Sequence, residues 1–276
     1  MAGCLFVVAT PLGHADDCSP RARRVLSGAD VVLAEDTRRA GALFQRLGIS
    51  RKEGAGFVSF HEHNEAERIP AVITRLENGD DVAVISDAGT PLISDPGYRL
   101  VAACREAGLA VTPVPGPSAV VAALSAAGLP PLPFTFLGFL PRKSGQAARA
   151  LEAHKLSGAT LIFFERKSRL AETLKIAHEV LGPREVCLCR ELTKDFEEFI
   201  RSTLGDPALE GLELRGEITV VVGPPAAGER PGEAEVLAVI AEEREAGGRP
   251  KEIARRAAAR LPGFTAKAVY EMMRGS

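Results

Sequence analysis

The 276-residue chain carries a formal net charge of −2, with 46% hydrophobic and 25% charged residues. This is the balance of a soluble globular protein long enough for one large or two medium domains. It excludes a chain that is basic throughout. No apolar run approaches a membrane span, and residues 1–20 lack a cationic start with a cleavable apolar segment, so a cytoplasmic protein with no membrane partner is expected.

The five cysteines do not make a disulfide framework. No metal site is expected, because Cys187-x-Cys189 lies in an apolar run that reads as a buried strand, without a second ligand pair at zinc spacing. In chain order, Cys4 to Ala9 is a compact apolar run stopped by Thr10-Pro-Leu-Gly13. Ser19-Pro20 supplies an N-cap with proline at the first helical position, opening a helix through Ala22, Val25 and Leu26. Val31 to Ala34 is a second strand ending in Glu35-Asp36-Thr37-Arg38-Arg39, and Ala42, Leu43 and Leu47 mark the next helix. Phe57 to Phe60 is a third strand, ending in His61-Glu62-His63-Asn64. A helical face follows at Ile69, Val72, Ile73 and Leu76, with Gly79 placed to end it.

Val82 to Ile85 reads as a buried strand that opens into a loop dense in Gly, Pro, Ser and Asp, up to Gly97. That is the shape of a binding loop. Gly89 lets a ligand approach the backbone, Pro91 and Pro96 stiffen the chain, and Thr90, Ser94 and Asp95 offer polar tips. Helical spacing resumes at Tyr98, and the strand Ala110 to Val114 leads through Pro115-Gly-Pro-Ser118 into the small apolar helix Val120 to Ala127. Strands alternating with helices predict a mostly parallel, three-layer α/β domain over residues 1–128, with its loops on one edge of the sheet.

After Gly128 the texture changes, and Leu129 to Pro133 reads as a linker. Strands at Phe134 to Leu140, Thr160 to Phe164, Val186 to Cys189 and Glu217 to Val222, with an amphipathic helix through Leu170, Leu174, Ala177 and Leu181, predict a second α/β domain of mixed sheet over residues 132–223. Pro224 to Gly232 reads as a flexible linker, and residues 233–276 as a small helical appendage. Local charge departs from the average: Arg142 to Lys175 holds eight Lys or Arg against three acids, and Arg249 to Ser276 seven against two. These segments are either solvated helix faces or a patch for a polyanion.

Seven motifs occur in one order: Ala9-Thr-Pro-Leu-Gly13, Ala34-Glu-Asp-Thr-Arg38, Phe60-His-Glu-His-Asn-Glu65, Ser86-Asp-Ala-Gly-Thr-Pro-Leu-Ile-Ser-Asp-Pro-Gly97, Pro113-Val-Pro-Gly-Pro-Ser-Ala119, Gly138-Phe-Leu-Pro-Arg142 and Arg190-Glu-Leu-Thr-Lys194. Together they closely resemble the ribosomal RNA small subunit methyltransferase I family of the tetrapyrrole methylase superfamily, over nearly the whole chain. The resemblance implies a two-domain tetrapyrrole-methylase-like fold, commonly a homodimer, that binds S-adenosylmethionine in a cleft between domains. The implied activity is methylation of the ribose 2'-hydroxyl of a cytidine in the decoding region of 16S ribosomal RNA. The implied partner is the small ribosomal subunit or its RNA. Implied cofactor contacts fall at Pro11, Ala88, Gly89, Thr90, Ile93, Ser118 and Ala119, with Phe164, Leu192 and Thr219 from the second domain.

Methyl transfer to a ribose hydroxyl needs in-line approach and removal of a proton from a weak acid. Acidic and histidine side chains at strand ends are the candidates to organise it, with Glu35, Asp36, His61 and Glu165 as the catalytic set and Glu62, His63, Glu191 and Lys194 beside them. Several have a structural reading beside the functional one: Glu35-Asp36 as a helix cap, and Arg190, Glu191 and Lys194 as a surface ion-pair group. Arg38, Arg142, Arg169, Arg190 and Lys194 are the candidates for RNA phosphates. The chain departs from the family pattern at His14, where the family usually has Asn, and at Phe164-Glu-Arg-Lys-Ser-Arg169, which lacks the usual Pro-His pair. Two other readings share the same loops: a methyltransferase of a tetrapyrrole or other small molecule, and a noncatalytic RNA-binding ribosome-assembly protein.

Overall fold

The computed structural model describes residues 2–209, 211–212, 216–225, 233–261 and 264–275. The chain forms two compact units, one of Met1–Ala122 with Glu191–Glu197 and one of Ala123–Arg190 with Glu198–Ser276. The first unit alternates β1 (Cys4–Val8), α1 (Pro20–Gly28), β2 (Val31–Ala34), α2 (Thr37–Leu47), β3 (Gly56–Ser59), α3 (Glu65–Glu77), β4 (Val82–Ile85), α4 (Tyr98–Glu106) and β5 (Ala110–Val114). The division between units falls within α5 (Ala119–Ala126).

All five strands of the first sheet run parallel, in the order β3-β2-β4-β1-β5. Every residue of β2 and β4 is buried, which is why both read as unbroken apolar runs. Their side chains alternate between layers. Val32, Ala34, Ala83 and Ile85 pack with Ala22 and Leu26 of α1 and Leu43, Phe44 and Leu47 of α2. Val31, Leu33, Val82 and Val84 pack with Val72 and Leu76 of α3 and Leu100 and Cys104 of α4. This period of two produces the three layers. β5 is an edge strand, where Pro113 removes no donor that a further strand would need. Ser19 caps α1 as expected, its side chain accepting from the Ala22 amide at 3.0 Å.

The second unit contains β6 (Phe134–Phe139), α6 (Ser144–Glu152), β7 (Thr160–Arg166), α7 (Leu170–Leu181), β8 (Glu185–Arg190), β9 (Glu198–Thr203) and β10 (Glu217–Val222). Its sheet has the order β6-β7-β10-β8-β9 and is mixed: β6 and β7 are parallel, and the remaining pairs are antiparallel. Leu161 and Phe163 of β7, Val186 and Leu188 of β8 and Ile218, Val220 and Val222 of β10 pack against Ala147 and Leu151 of α6 and Leu170, Leu174, Ala177 and Leu181 of α7. Three helices follow, α8 (Glu233–Glu245), α9 (Pro250–Arg260) and α10 (Ala266–Gly275), joined through Val236, Val239, Ile240, Ala254, Ala257 and Val269.

Three sequence expectations are revised. The edge strand β9 and the helix α6 were not anticipated. The segment read as a linker, Leu129 to Pro133, is fastened to β7: Leu129 is buried, and Thr160 donates from its hydroxyl to Pro130 O at 2.6 Å and from its amide to Pro133 O at 3.0 Å. The second anticipated linker, Pro224 to Gly232, lies mostly outside the described residues. Cys187 and Cys189 are buried on β8 with their sulfurs 3.8 Å apart. Among the described residues no helix is long and apolar enough to cross a membrane.

Candidate functional site

The first sheet has a topological switch point between β4 and β1. These strands are neighbours, yet the helix after β1 packs on one face of the sheet and the helix after β4 on the other. The chain leaves the two strands towards opposite faces at the carboxyl edge, the usual place for a ligand in an open parallel sheet.

Hydrogen bonds join these loops into one body. The Thr10 amide donates to Gly89 O at 2.8 Å, and the Gly89 amide returns the bond to Thr10 O at 3.0 Å. Thr10 is fully buried, and its hydroxyl donates to Ser86 O at 3.3 Å. The Thr90 hydroxyl donates to Pro117 O at 2.9 Å, and the Ala9 amide to Val114 O at 3.1 Å, so the loop after β5 is drawn in as well. Gly89 has φ +80°, and a Cβ there would lie 3.0 Å from Leu12 Cδ2 and 3.7 Å from Pro117 O. Leu12 and the loop after β5 thus pack into the space that a side chain at residue 89 would take. Further along, Leu92 and Ser94 hold φ of 72° and 68°, a region that non-glycine residues rarely occupy. Between them Ile93 is 45% exposed.

Of the sequence-derived cofactor candidates, Pro11, Ala88, Gly89, Thr90, Ile93 and Ser118 fall on these three linked loops, and Ala119 opens α5 directly after the third. Leu192 lies with them in the first unit, although its position in the chain is between strands of the second sheet. Its segment is anchored by Thr193, whose hydroxyl accepts from the His14 amide at 3.2 Å. Phe164 and Thr219 belong to the second unit, where they are register partners on β7 and β10. Phe164 is half-buried and contacts the rings of Phe136 and Phe139, with centroids 4.9 Å and 5.5 Å away.

The acid–base candidates divide by environment. Asp36 is the N-cap of α2 and accepts from the Arg38 and Arg39 amides at 2.8 Å and 3.4 Å. The Arg38 guanidinium, followed by the Arg38 amide, holds its carboxyl down to about 2. Glu35 is exposed beside it. Next in the chain, Arg39 crosses to Asp87 at 2.5 Å and ties α2 to the loop after β4. His61 is half-buried, its Nδ1 has no hydrogen-bond partner, and its ring stands 5.9 Å from that of His63. Asn64 shapes that turn, accepting from the His61 amide at 2.8 Å and donating to Ser59 O at 3.1 Å.

Glu165 is fully buried in the second unit. It accepts from the Thr173 hydroxyl at 2.7 Å and the Arg166 amide at 2.9 Å, and its carboxylate lies 3.6 Å from the Arg169 guanidinium. Arg169 in turn donates to Leu140 O and Pro141 O at 3.2 Å and 2.9 Å, gripping the turn that carries Arg142. Of the other phosphate candidates, Arg38 pairs with Asp36, Arg190 with Glu198 at 2.6 Å and Lys194 with Glu191 at 3.0 Å. Arg142 is exposed without such a carboxylate among the described ion pairs, as are Lys143, Arg166 and Lys167. Because β6 and β7 are parallel neighbours, the turns bearing these cations leave the sheet on one edge. Lys143, Arg166 and Lys167 were not singled out from the sequence. Their signal was the cation excess over Arg142 to Lys175.

The family profile described as tetrapyrrole (corrin/porphyrin) methylases matches residues 4–208. The chain is 50% identical over 224 residues to a protein of Mesorhizobium japonicum named ribosomal RNA small subunit methyltransferase I, covering 80% of this chain and 75% of that one. It is 47% identical over 276 residues to the Mycobacterium bovis protein of the same name, covering 98% and 94%. Its fold is similar to the crystal structure of the methyltransferase CobJ, with a TM-score of 0.63 at 22% identity over 82% of this chain and 95% of that one.

Proposed function

The chain belongs to the tetrapyrrole (corrin/porphyrin) methylases and, within them, to the ribosomal RNA small subunit methyltransferase I family, and from that premise we propose that it methylates the ribose 2'-hydroxyl of a cytidine in the decoding region of 16S ribosomal RNA. The observation that carries this reading is the 47% identity to a relative of that name across 98% of the chain. The reading includes a cytoplasmic homodimer acting on the small subunit or its RNA, which the family resemblance supports.

S-adenosylmethionine, when bound, supplies an electrophilic sulfonium methyl group. The joined loops fit such a ligand: Gly89 lets Leu12 and the loop after β5 close up behind the buried tie between Thr10 and Gly89, and beside that fixed frame Ala88 is exposed and Ile93 offers an exposed apolar side chain. Rigid loops favour in-line approach by limiting the ways the acceptor hydroxyl is misplaced. For the proton the hydroxyl loses, Asp36 is a poor acceptor, since a carboxylate held at about 2 has little basicity at neutral pH. Its role in the proposal is to cap α2 and orient Arg38. Glu165 is likewise assigned to positioning, because its carboxylate is enclosed by Thr173 and Arg169. Glu35 and His61 are the groups assigned to proton handling. Arg142, Lys143, Arg166 and Lys167 form the phosphate-contacting edge.

The test is transfer of labelled methyl to unmethylated small subunits, naked 16S RNA and a tetrapyrrole precursor, followed by mapping of the product. Methyl on a ribose of a decoding-region cytidine is expected. Label on the tetrapyrrole alone would overturn the RNA reading, and tight RNA binding with no transfer would favour a noncatalytic assembly role.

A further inference from the structure

We infer that Glu65 is a positioning residue that anchors the strained loop after β4 by capping α4 from another helix. Glu65 is 6% exposed, so its carboxylate needs donors to replace water. It is the first residue of α3, and its Oε1 accepts from the Gly97 amide at 3.1 Å. Gly97 is the N-cap position of α4 and has no side chain with which to cap that helix. The carboxylate therefore lies at the positive ends of both helices and supplies α4 with the acceptor its own cap residue lacks.

The same contact closes the strained segment. Gly97 has φ +124°, and a Cβ there would lie 2.9 Å from Leu92 Cδ1 and 3.2 Å from Leu92 Cγ. Leu92 thus fills the space that a side chain at Gly97 would take. Its positive φ and that of Ser94 are held from one end by this packing and by the Glu65 bond, with Ile93 presented between them. Glu65 is itself fixed by the turn after β3, where its amide donates to His61 O at 2.9 Å. The Phe60 to Glu65 motif is in this way joined to the loop that ends at Gly97. A carboxylate so buried acts through backbone geometry, and Glu65 is a positioning residue.

The inference rests on the reading that the loop after β4 holds the S-adenosyl group, and the test separates the two. With the full-length chain, S-adenosylhomocysteine affinity is measured by titration calorimetry, RNA affinity by filter binding, and amide exchange by mass spectrometry, for wild type, Glu65→Gln and Glu65→Ala. Glu65→Gln keeps shape and an acceptor but loses charge, and is expected to weaken S-adenosylhomocysteine binding about threefold to tenfold. Glu65→Ala is expected to weaken it about tenfold or more, since charge-assisted bonds are the stronger class. Exchange should quicken over residues 92–100 and not across the sheet, with RNA affinity unchanged and kcat at saturating cofactor near wild type. Wild-type affinity in both variants would overturn the inference. So would an exchange increase throughout the first unit with parallel loss of RNA binding, which marks a merely structural residue. A wild-type chain that bound no S-adenosyl compound would instead overturn the cofactor reading, while ligand-free exchange at residues 92–100 would still decide whether Glu65 is the anchor.

Discussion

At the scale of single residues, the same chemical group takes different roles according to what surrounds it. Asp36 and Glu35 are adjacent carboxylates at the end of β2, but only Asp36 is bound by the Arg38 guanidinium and by amides at the start of α2. Its folded pKa of about 2 lies below the ordinary 3.8, so folding favours its ionised form. The stabilisation is complete above the unfolded pKa and is lost as pH falls through the folded one. The melting temperature of wild type should therefore exceed that of Asp36→Asn by a constant margin above about pH 5 and converge with it towards pH 2. Turnover of Asp36→Asn should fall by less than about tenfold, whereas loss of a positioned base costs about 10²- to 10⁴-fold. Scanning calorimetry and single-turnover assays check the two parts. Gly89 makes a second case: with φ +80° and Leu12 Cδ2 at 3.0 Å from where a Cβ would stand, Gly89→Ala should cost about 1 to 2 kcal/mol in stability. It should also weaken S-adenosylhomocysteine binding about tenfold, read by titration calorimetry, whereas Gly145→Ala, in open space, should do neither.

At the scale of elements, what was legible in the sequence depended on whether burial is local or made by distant partners. β2 and β4 were legible because both faces are covered, leaving apolar runs between turn residues. β9 was not, because it is an edge strand with no fully buried residue and follows a charged stretch from Lys194 to Glu197. The loops of the candidate site were marked by their glycines and prolines. Their ties were not, since Thr10 and Gly89, Arg39 and Asp87, and Glu65 and Gly97 are far apart in the chain. Leu192 reads from its position as part of the second sheet's domain, and only the folded path of the chain puts it in the first unit. Glu165 illustrates the consequence. Its place at the end of β7 suits a catalytic carboxylate, but in the fold it links β7 to Thr173 of α7 and, through Arg169, to the turn after β6. Removing one partner of a buried charge cluster typically costs about 3 to 5 kcal/mol. Glu165→Ala is therefore expected to lose about that much in urea unfolding, and Glu165→Gln less, with activity tracking the folded fraction. Full stability with abolished turnover would return Glu165 to the catalytic set.

At the scale of the whole molecule, a net charge of −2 conceals an unequal use of cations. In the C-terminal helices Arg256 binds Glu243 at 2.7 Å, and Arg260 binds Glu242 and Glu243 at 2.6 Å and 2.8 Å. The hydrogen bond from Arg256, and then that from Arg260, holds the Glu243 carboxyl below its usual range. These arginines join α9 to α8, and the cation excess counted from the sequence after Arg249 is partly internal. On the second sheet, by contrast, Arg142, Lys143, Arg166 and Lys167 are exposed, while Arg169 holds the turn that carries Arg142. Each phosphate contact releases counterions, so the slope of log affinity against log salt counts the cations in contact, at about 0.7 to 0.9 per contact. Replacing both Arg142 and Lys167 by alanine should therefore make that slope shallower by about 1.4 to 1.8 and weaken binding most at low salt. Arg256→Ala should lower thermal stability and leave the slope unchanged. Filter binding of unmethylated 16S RNA from 50 to 300 mM salt, about the range over which counterion release is resolved, separates these expectations. A slope altered by Arg256→Ala and indifferent to Arg142 and Lys167 would move the RNA surface from the turns after β6 and β7 to the C-terminal helices.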